Sequence, residues 1–101
     1  MGMKINIQSV GFTAGQQLLD FVQEKTGKLL RFDDTLMGAN AILRLENANT
    51  KEERHVAEIT LELRGDKQFA SKSGATFEEA VAETLDALRS QLQRRKGKIR
   101  D

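Results

Sequence analysis

Between Arg89 and Asp101 the chain carries six bases, Arg89, Arg94, Arg95, Lys96, Lys98 and Arg100, and one acid. The twelve residues before them, 77–88, carry four acids, Glu78, Glu79, Glu83 and Asp86, and no base. Acids at a helix N-terminus and bases at its C-terminus match the macrodipole, at roughly 0.3–1 kcal/mol per charge. That accounts for one or two charges at each end. Six bases in thirteen residues exceed it, because like charges at close helical spacing repel. A cluster kept despite repulsion points to an anionic partner. A smaller basic group lies upstream, with Lys25, Lys28 and Arg31 spaced three apart.

Other chemistry is poorly supported. His55 is the one histidine, and it reads as a solvent-facing member of a pair at a strand start. No nucleophile, base and orienting group share a recognisable pattern. Glu52-Glu53 and Glu78-Glu79 fall in a loop and a helix start, not in a desolvated acid/base pair. There is no Gly-rich phosphate loop, and the lack of Cys excludes disulfides and thiolate metal sites. The chain reads as a non-enzyme with no cofactor, no metal and no small-molecule substrate. Arg64-Gly65-Asp66 spells an adhesion tripeptide but sits where a hairpin turn is expected.

The 101 residues fit one domain with a modest core. A net charge of +1 says little about partners, so the placement of charge carries the argument. No apolar run reaches the length of a membrane span, and no signal peptide pattern opens the chain. Asn6 stands where N-myristoylation wants Ser or Thr. A cytoplasmic location is expected. Met1 and Gly2 read as additions before a natural start at Met3, with one domain over 3–98 and a basic tail over 99–101.

The elements that must position the bases follow from periodicity. Residues 4–10 alternate, with Ile5, Ile7 and Val10 on the apolar side. Thr13 and Gln16 match a capping box, and residues 14–32 read as a helix. Its stripe uses Leu18, Val22 and Leu29, with Leu19 or Phe21 at the edges, and it continues through Gly27. After punctuation at Asp33-Asp34 and Gly38, residues 39–47 alternate with Ala41, Leu43 and Leu45 inward. Residues 54–64 place Ala57, Ile59, Leu61 and Leu63 inward and Val56, Glu58, Thr60, Glu62 and Arg64 outward. Gly65-Asp66 suits a tight turn into a weaker strand over 67–73. Thr76 and Glu79 form a second capping box before a helix over 77–96, with Phe77, Val81, Leu85 (or Thr84), Leu88 and Leu92 inward.

This order predicts an α+β fold, β-α-β-β-β-α, with a four-stranded sheet and two helices on one face. The bases then lie on the helical side. Glu46, Glu58 and Glu62 make the outer sheet face more acidic. Such polarity orients a protein on nucleic acid through phosphates. With no Trp or Tyr and five Phe, stacking platforms for single strands are disfavoured. Phosphate and shape recognition of folded RNA fits better.

The chain resembles the short-form ribosome hibernation promoting factors, a family of ribosome-associated inhibitors also called sigma-54 modulation proteins. The likeness runs from Met3 to about Lys98. It rests on Ile5-Asn6-Ile7, on Asp20-Phe21-Val22, Lys25, Lys28-Leu29 and Phe32, on the three-stranded meander, and on Ala70-Ser71. It also rests on Thr76-Phe77-Glu78-Glu79-Ala80-Val81 and on Leu85 through Lys98. The resemblance implies a fold akin to double-stranded-RNA-binding domains. It also implies binding to the small ribosomal subunit and its ribosomal RNA, in the channel for messenger and transfer RNA, so that translation stops and idle ribosomes are preserved.

By position, Lys25, Lys28, Arg94, Lys96 and Lys98 match basic family positions, while Arg89 and Arg95 are basic without a firm match. With Arg31 and Arg100 they form the expected RNA-binding set. Ala87 and Ser90 stand where members often carry Lys or Arg, and Glu78 where many carry Tyr. The first helix is expected to start about two residues earlier than in some members. The long forms' dimerisation domain is not expected, so pairing of ribosomes would need a second hibernation factor. The alternative is a protein-interaction module regulating transcription, seated on an outer sheet face exposing Ile42 and Val56 or on a free strand edge.

Overall fold

The structure is a computed structural model that describes residues 4–32, 35–47 and 53–100. Side chains are described there except at residues 30, 47, 53 and 96–100. The start at residues 1–3, the Asp33-Asp34 link and the polar loop at 48–52 lie outside the described residues.

The elements are β1 (Lys4–Val10), α1 (Gln16–Leu30), β2 (Leu36–Asn47), β3 (Glu53–Leu63), β4 (Asp66–Gly74) and α2 (Phe77–Arg100). The sheet order is β1-β2-β3-β4, with β1 parallel to β2 and the other pairs antiparallel. This is the α+β architecture expected, and α1 and α2 both cover one sheet face. The alternation of β2 and β3 builds that face. Ala39, Ala41 and Leu43 on β2 and Ala57, Ile59, Leu61 and Leu63 on β3 are buried in one core. Alanines at 39, 41, 57 and 70 leave room for the helices to approach, and Val22, Leu29, Val81, Leu85, Leu88 and Leu92 fill it. Thr84 ties α2 to the sheet: its buried Oγ1 lies 2.7 Å from the Ala80 carbonyl oxygen and 3.3 Å from that of Ala57.

Several sequence expectations need correction. α1 starts at Gln16, not Ala14, and Gly15 is its N-cap with no side-chain cap bond. Thr13 lies two residues short of that position, too early for its hydroxyl to serve as the cap. Gln16 instead donates to Asp20 Oδ1 at 2.9 Å. The buried α1 face is Val22, Thr26 and Leu29, with Leu18, Leu19 and Phe21 half-buried. Val10 is 45% exposed, because Ser9 holds the inward parity in β1. β2 begins at Leu36, so Gly38 is a strand residue rather than punctuation. A Cβ there would sit 2.9 Å from the Lys4 carbonyl oxygen of β1, so the close approach of the two strands excludes larger residues. The β3–β4 turn is Arg64-Gly65, with φ +77° at Gly65, one residue earlier than read.

The Thr76 cap forms, with the return bond of Glu79 going to Ala75 rather than to Thr76. Thr76 Oγ1 accepts from the Glu79 N–H at 3.1 Å, and Glu79 Oε1 accepts from the Ala75 N–H at 3.1 Å. α2 then runs to Arg100, four residues beyond the expected helix end at 96. At 1.5 Å per residue its 24 residues span about 36 Å.

Two glycines give opposite expectations. Gly38→Ala forces β1 and β2 apart and should destabilise by about 1–3 kcal/mol. Gly27→Ala, within α1 and with open space around it, should stabilise by about 0.5–1 kcal/mol. Urea unfolding of the two variants against the parent checks both signs.

Candidate nucleic-acid interface

Both helices run in the same direction along the sheet. Phe12, just before α1, stacks on Phe77 at the start of α2, with ring centroids 4.4 Å apart. At the far end of α1, the Arg89 guanidinium carbon lies 5.3 Å from the Phe32 ring centroid. The C-terminal turns of α1 therefore meet the middle of α2. A cleft of about 530 Å³ opens between them. Its cations are Lys25, Lys28, Arg31 and Arg89; Leu29, Phe32, Ala82 and Leu85 supply apolar surface, and Asp86 is its one acid.

Local structure sets each cation. Lys25, Lys28 and Arg31 follow one another at three-residue steps around the end of α1, where positive charge offsets the helix dipole. Arg31 is the C-cap, and its N–H bonds the Gly27 carbonyl at 3.2 Å. Lys25 Nζ sits 5.6 Å from the Phe21 ring centroid. Cation–π contacts of this kind contribute about 0.5–1 kcal/mol at exposed sites and restrict where the charge can wander. Among the described residues none of the four cations is in an ion pair; those ion pairs join Arg44 to Glu46, Arg44 to Glu58 and Arg95 to Asp66.

The remaining predicted bases are not in the cleft. Arg95 reaches Asp66 at the β3–β4 turn, 3.7 Å away. Arg94 is exposed, about 140° around α2 from Arg89 by helix geometry. Lys96, Lys98 and Arg100 lie on α2, and their side chains are outside the described residues.

Three expectations around the site change. His55 is not solvent-facing: it has the inward parity of β3, its ring meets Phe77 edge-on at 4.7 Å, and its buried Nδ1 has no hydrogen-bond partner among the described residues. The outer sheet face is mixed rather than acidic, because Arg44 pairs with Glu58 and Glu46 and the alternation also puts Lys4, Arg54 and Lys67 there. Val56 is 5% exposed despite facing outward, flanked by Arg44 and Ser73 in the register, and Ile42 is half-buried. An apolar docking face at those two positions is therefore missing.

Sequence reasoning missed the floor and the acid of the cleft. Phe32 read as a continuation of the α1 stripe and Asp86 as part of the acidic start of α2. The available signal was spacing: Arg89 follows Asp86 by three residues and Leu85 by four, so all border one helix face.

The one-sided α+β fold has known counterparts. A ribosomal subunit interface protein from Coxiella burnetii superposes with a TM-score of 0.79 at 17% identity, covering 94% of this chain and 99% of that one. The N-terminal domain of Thermus thermophilus Protein Y gives 0.75 at 24% identity, covering 93% and 98%. The family model described as sigma 54 modulation protein / S30EA ribosomal protein matches residues 5–100, and the chain belongs to that family. The ribosome hibernation promoting factor of Salmonella typhimurium is 26% identical over 98 residues, 97% of this chain and 98% of its own length. The Escherichia coli K12 protein of the same name matches to the same extent.

Four like charges in one cleft, none ion-paired among the described residues, repel one another. Replacing Lys25, Lys28, Arg31 and Arg89 by Gln relieves that repulsion but gives up two ring contacts of about 0.5–1 kcal/mol each, so stability should change by no more than about 1–2 kcal/mol and depend less on salt. Added salt should stabilise the parent more than this variant in parallel urea titrations. A large loss of stability in the variant would mean that the four cations hold the fold together.

Proposed function

We propose that this chain binds the small ribosomal subunit through the α1–α2 cleft and blocks translation by occupying the channel used by messenger and transfer RNA. Preservation of idle ribosomes follows from that block. The observation carrying this reading is the convergence of Lys25, Lys28, Arg31 and Arg89, none of them ion-paired among the described residues, on one cleft of a protein of this family. Ribosomal RNA supplies a dense array of phosphates, and cations not committed to protein carboxylates are free to neutralise them. The names of the relatives, ribosome hibernation promoting factor and ribosomal subunit interface protein, support the same target. No catalytic step is part of the proposal. Arg94, exposed further along α2, extends the basic surface beyond the cleft.

Binding of this kind is electrostatic and must weaken with salt. If the four cleft cations each neutralise a phosphate, log K against log salt should fall with a slope of roughly −2.8 to −3.6. Cosedimentation with purified small subunits across a salt series measures it. Lys25→Glu, Lys28→Glu, Arg31→Glu and Arg89→Glu together should abolish cosedimentation and inhibition of translation in vitro. Arg95→Ala should leave both within about twofold, because Arg95 is tied to Asp66. Salt-independent binding, or full inhibition by the fourfold charge reversal, would refute the assignment.

A further inference from the structure

We infer that the α1–α2 cleft takes up a single unstacked nucleotide whose base carries an exocyclic amine, with Asp86 as the residue that reads it. This rests on the reading of the cleft as an RNA site and deepens it. Two features of the cleft are unsuited to phosphate alone. The first is its floor: Leu29 and Leu85 are buried beneath it, and Phe32 is half-buried with Arg89 over its ring. Phosphate gains nothing from an apolar floor, whereas a base has two apolar faces and stacks on aromatic rings and guanidinium planes. The second is Asp86. Its carboxylate lines a cleft of four cations, yet among the described residues it is in no ion pair. A carboxylate here weakens the hold on phosphate. It is productive if it accepts a hydrogen bond from a base, as Asp and Glu accept from the cytosine amine.

The dimensions agree with one nucleotide. A cleft of about 530 Å³ lies within the roughly 300–1,000 Å³ of small-molecule sites. A base entering from the open side lies over Leu29 and Leu85 beside the Arg89 guanidinium, its edge toward Asp86. Its phosphate stays at the rim with Lys28 and Arg31, both exposed. Cytosine, adenine and guanine offer an amine to Asp86. Uracil puts a carbonyl oxygen where cytosine has its amine, so the carboxylate is repelled there and reaches only the neighbouring N3–H, a weaker fit. The absence of Trp and Tyr is consistent with one such site rather than a platform for a strand.

CMP and UMP are nearly isosteric and differ at this amine, so they separate base reading from charge. Amide resonances of the full chain at low salt are followed during titration with CMP, UMP, inorganic phosphate and a tetraglutamate peptide. CMP should shift residues 28–32 and 82–89, and UMP should bind roughly fivefold or more weakly. Asp86→Asn should tighten phosphate while removing the preference for CMP over UMP. A residue that only repels phosphate would change both nucleotides by the same factor. Equal affinity for CMP and UMP in the parent, shifts by tetraglutamate as strong as those by CMP, or an Asp86→Asn variant that keeps the preference would each overturn the inference. Cosedimentation with small subunits, run on the same samples, separates the two ideas. Binding to the subunit without base preference leaves the ribosomal reading standing and removes this one. Base preference without subunit binding does the reverse.

Discussion

Two helices packed in the same direction on one face of a sheet set every other property of this molecule. β2 and β3 have inward rows of small or aliphatic residues, extended by Ile5 and Ile7 of β1 and Ala70 of β4, and α1 and α2 must bury their stripes against them. The connections make both helices run alike, with Phe12 on Phe77 at one end and Arg89 over Phe32 at the other. The basic end of α1 is therefore delivered against the middle of α2. Had the helices run in opposite directions, Lys25, Lys28 and Arg31 would face the acidic start of α2, with Glu78 and Glu79, and the charges would cancel.

The cleft depends on what does not pair within it. Elsewhere the protein commits its cations: Arg44 is held by Glu58 and Glu46, and Arg95 reaches Asp66. In the cleft the cations are held by ring faces and by helix geometry instead. Ring contacts restrict a cation without neutralising it, so its charge stays available to an anion. The cost is mutual repulsion at the end of α1, partly offset by the helix dipole.

Much of the fold was legible in the sequence because the patterns there were strong and local. The alternation in β2 and β3 and the stripe of α2 depend on side-chain identity at fixed periods, and the Thr76 cap depends on residues three apart. What could not be read required knowledge of neighbours distant in sequence. Gly38 looked like punctuation because the carbonyl of Lys4 that crowds it is 34 positions away. Val56 looked exposed because its cover comes from other strands, and His55 looked solvent-facing because Phe77 arrives from α2. At the site, Lys25, Lys28, Arg31 and Arg89 were legible as charges. Their separation from Arg95 was not, because it turns on Asp66 in the β3–β4 hairpin. The role of Asp86 was hidden by the acids around it, and only the packing of α1 sets it apart from Glu83.

The cleft gives the basic surface a definite place, shape and orientation, which a basic helix end alone lacks. The most direct test of its assignment is a photocrosslinking amino acid at Ala82, an exposed residue lining the cleft, in complex with purified small subunits. The same group at Ser71, exposed on the outer sheet face, serves as the comparison. The account predicts that position 82 crosslinks to ribosomal RNA of the messenger and transfer RNA channel, and that position 71 does not. Crosslinks from position 71 with none from position 82 would contradict it.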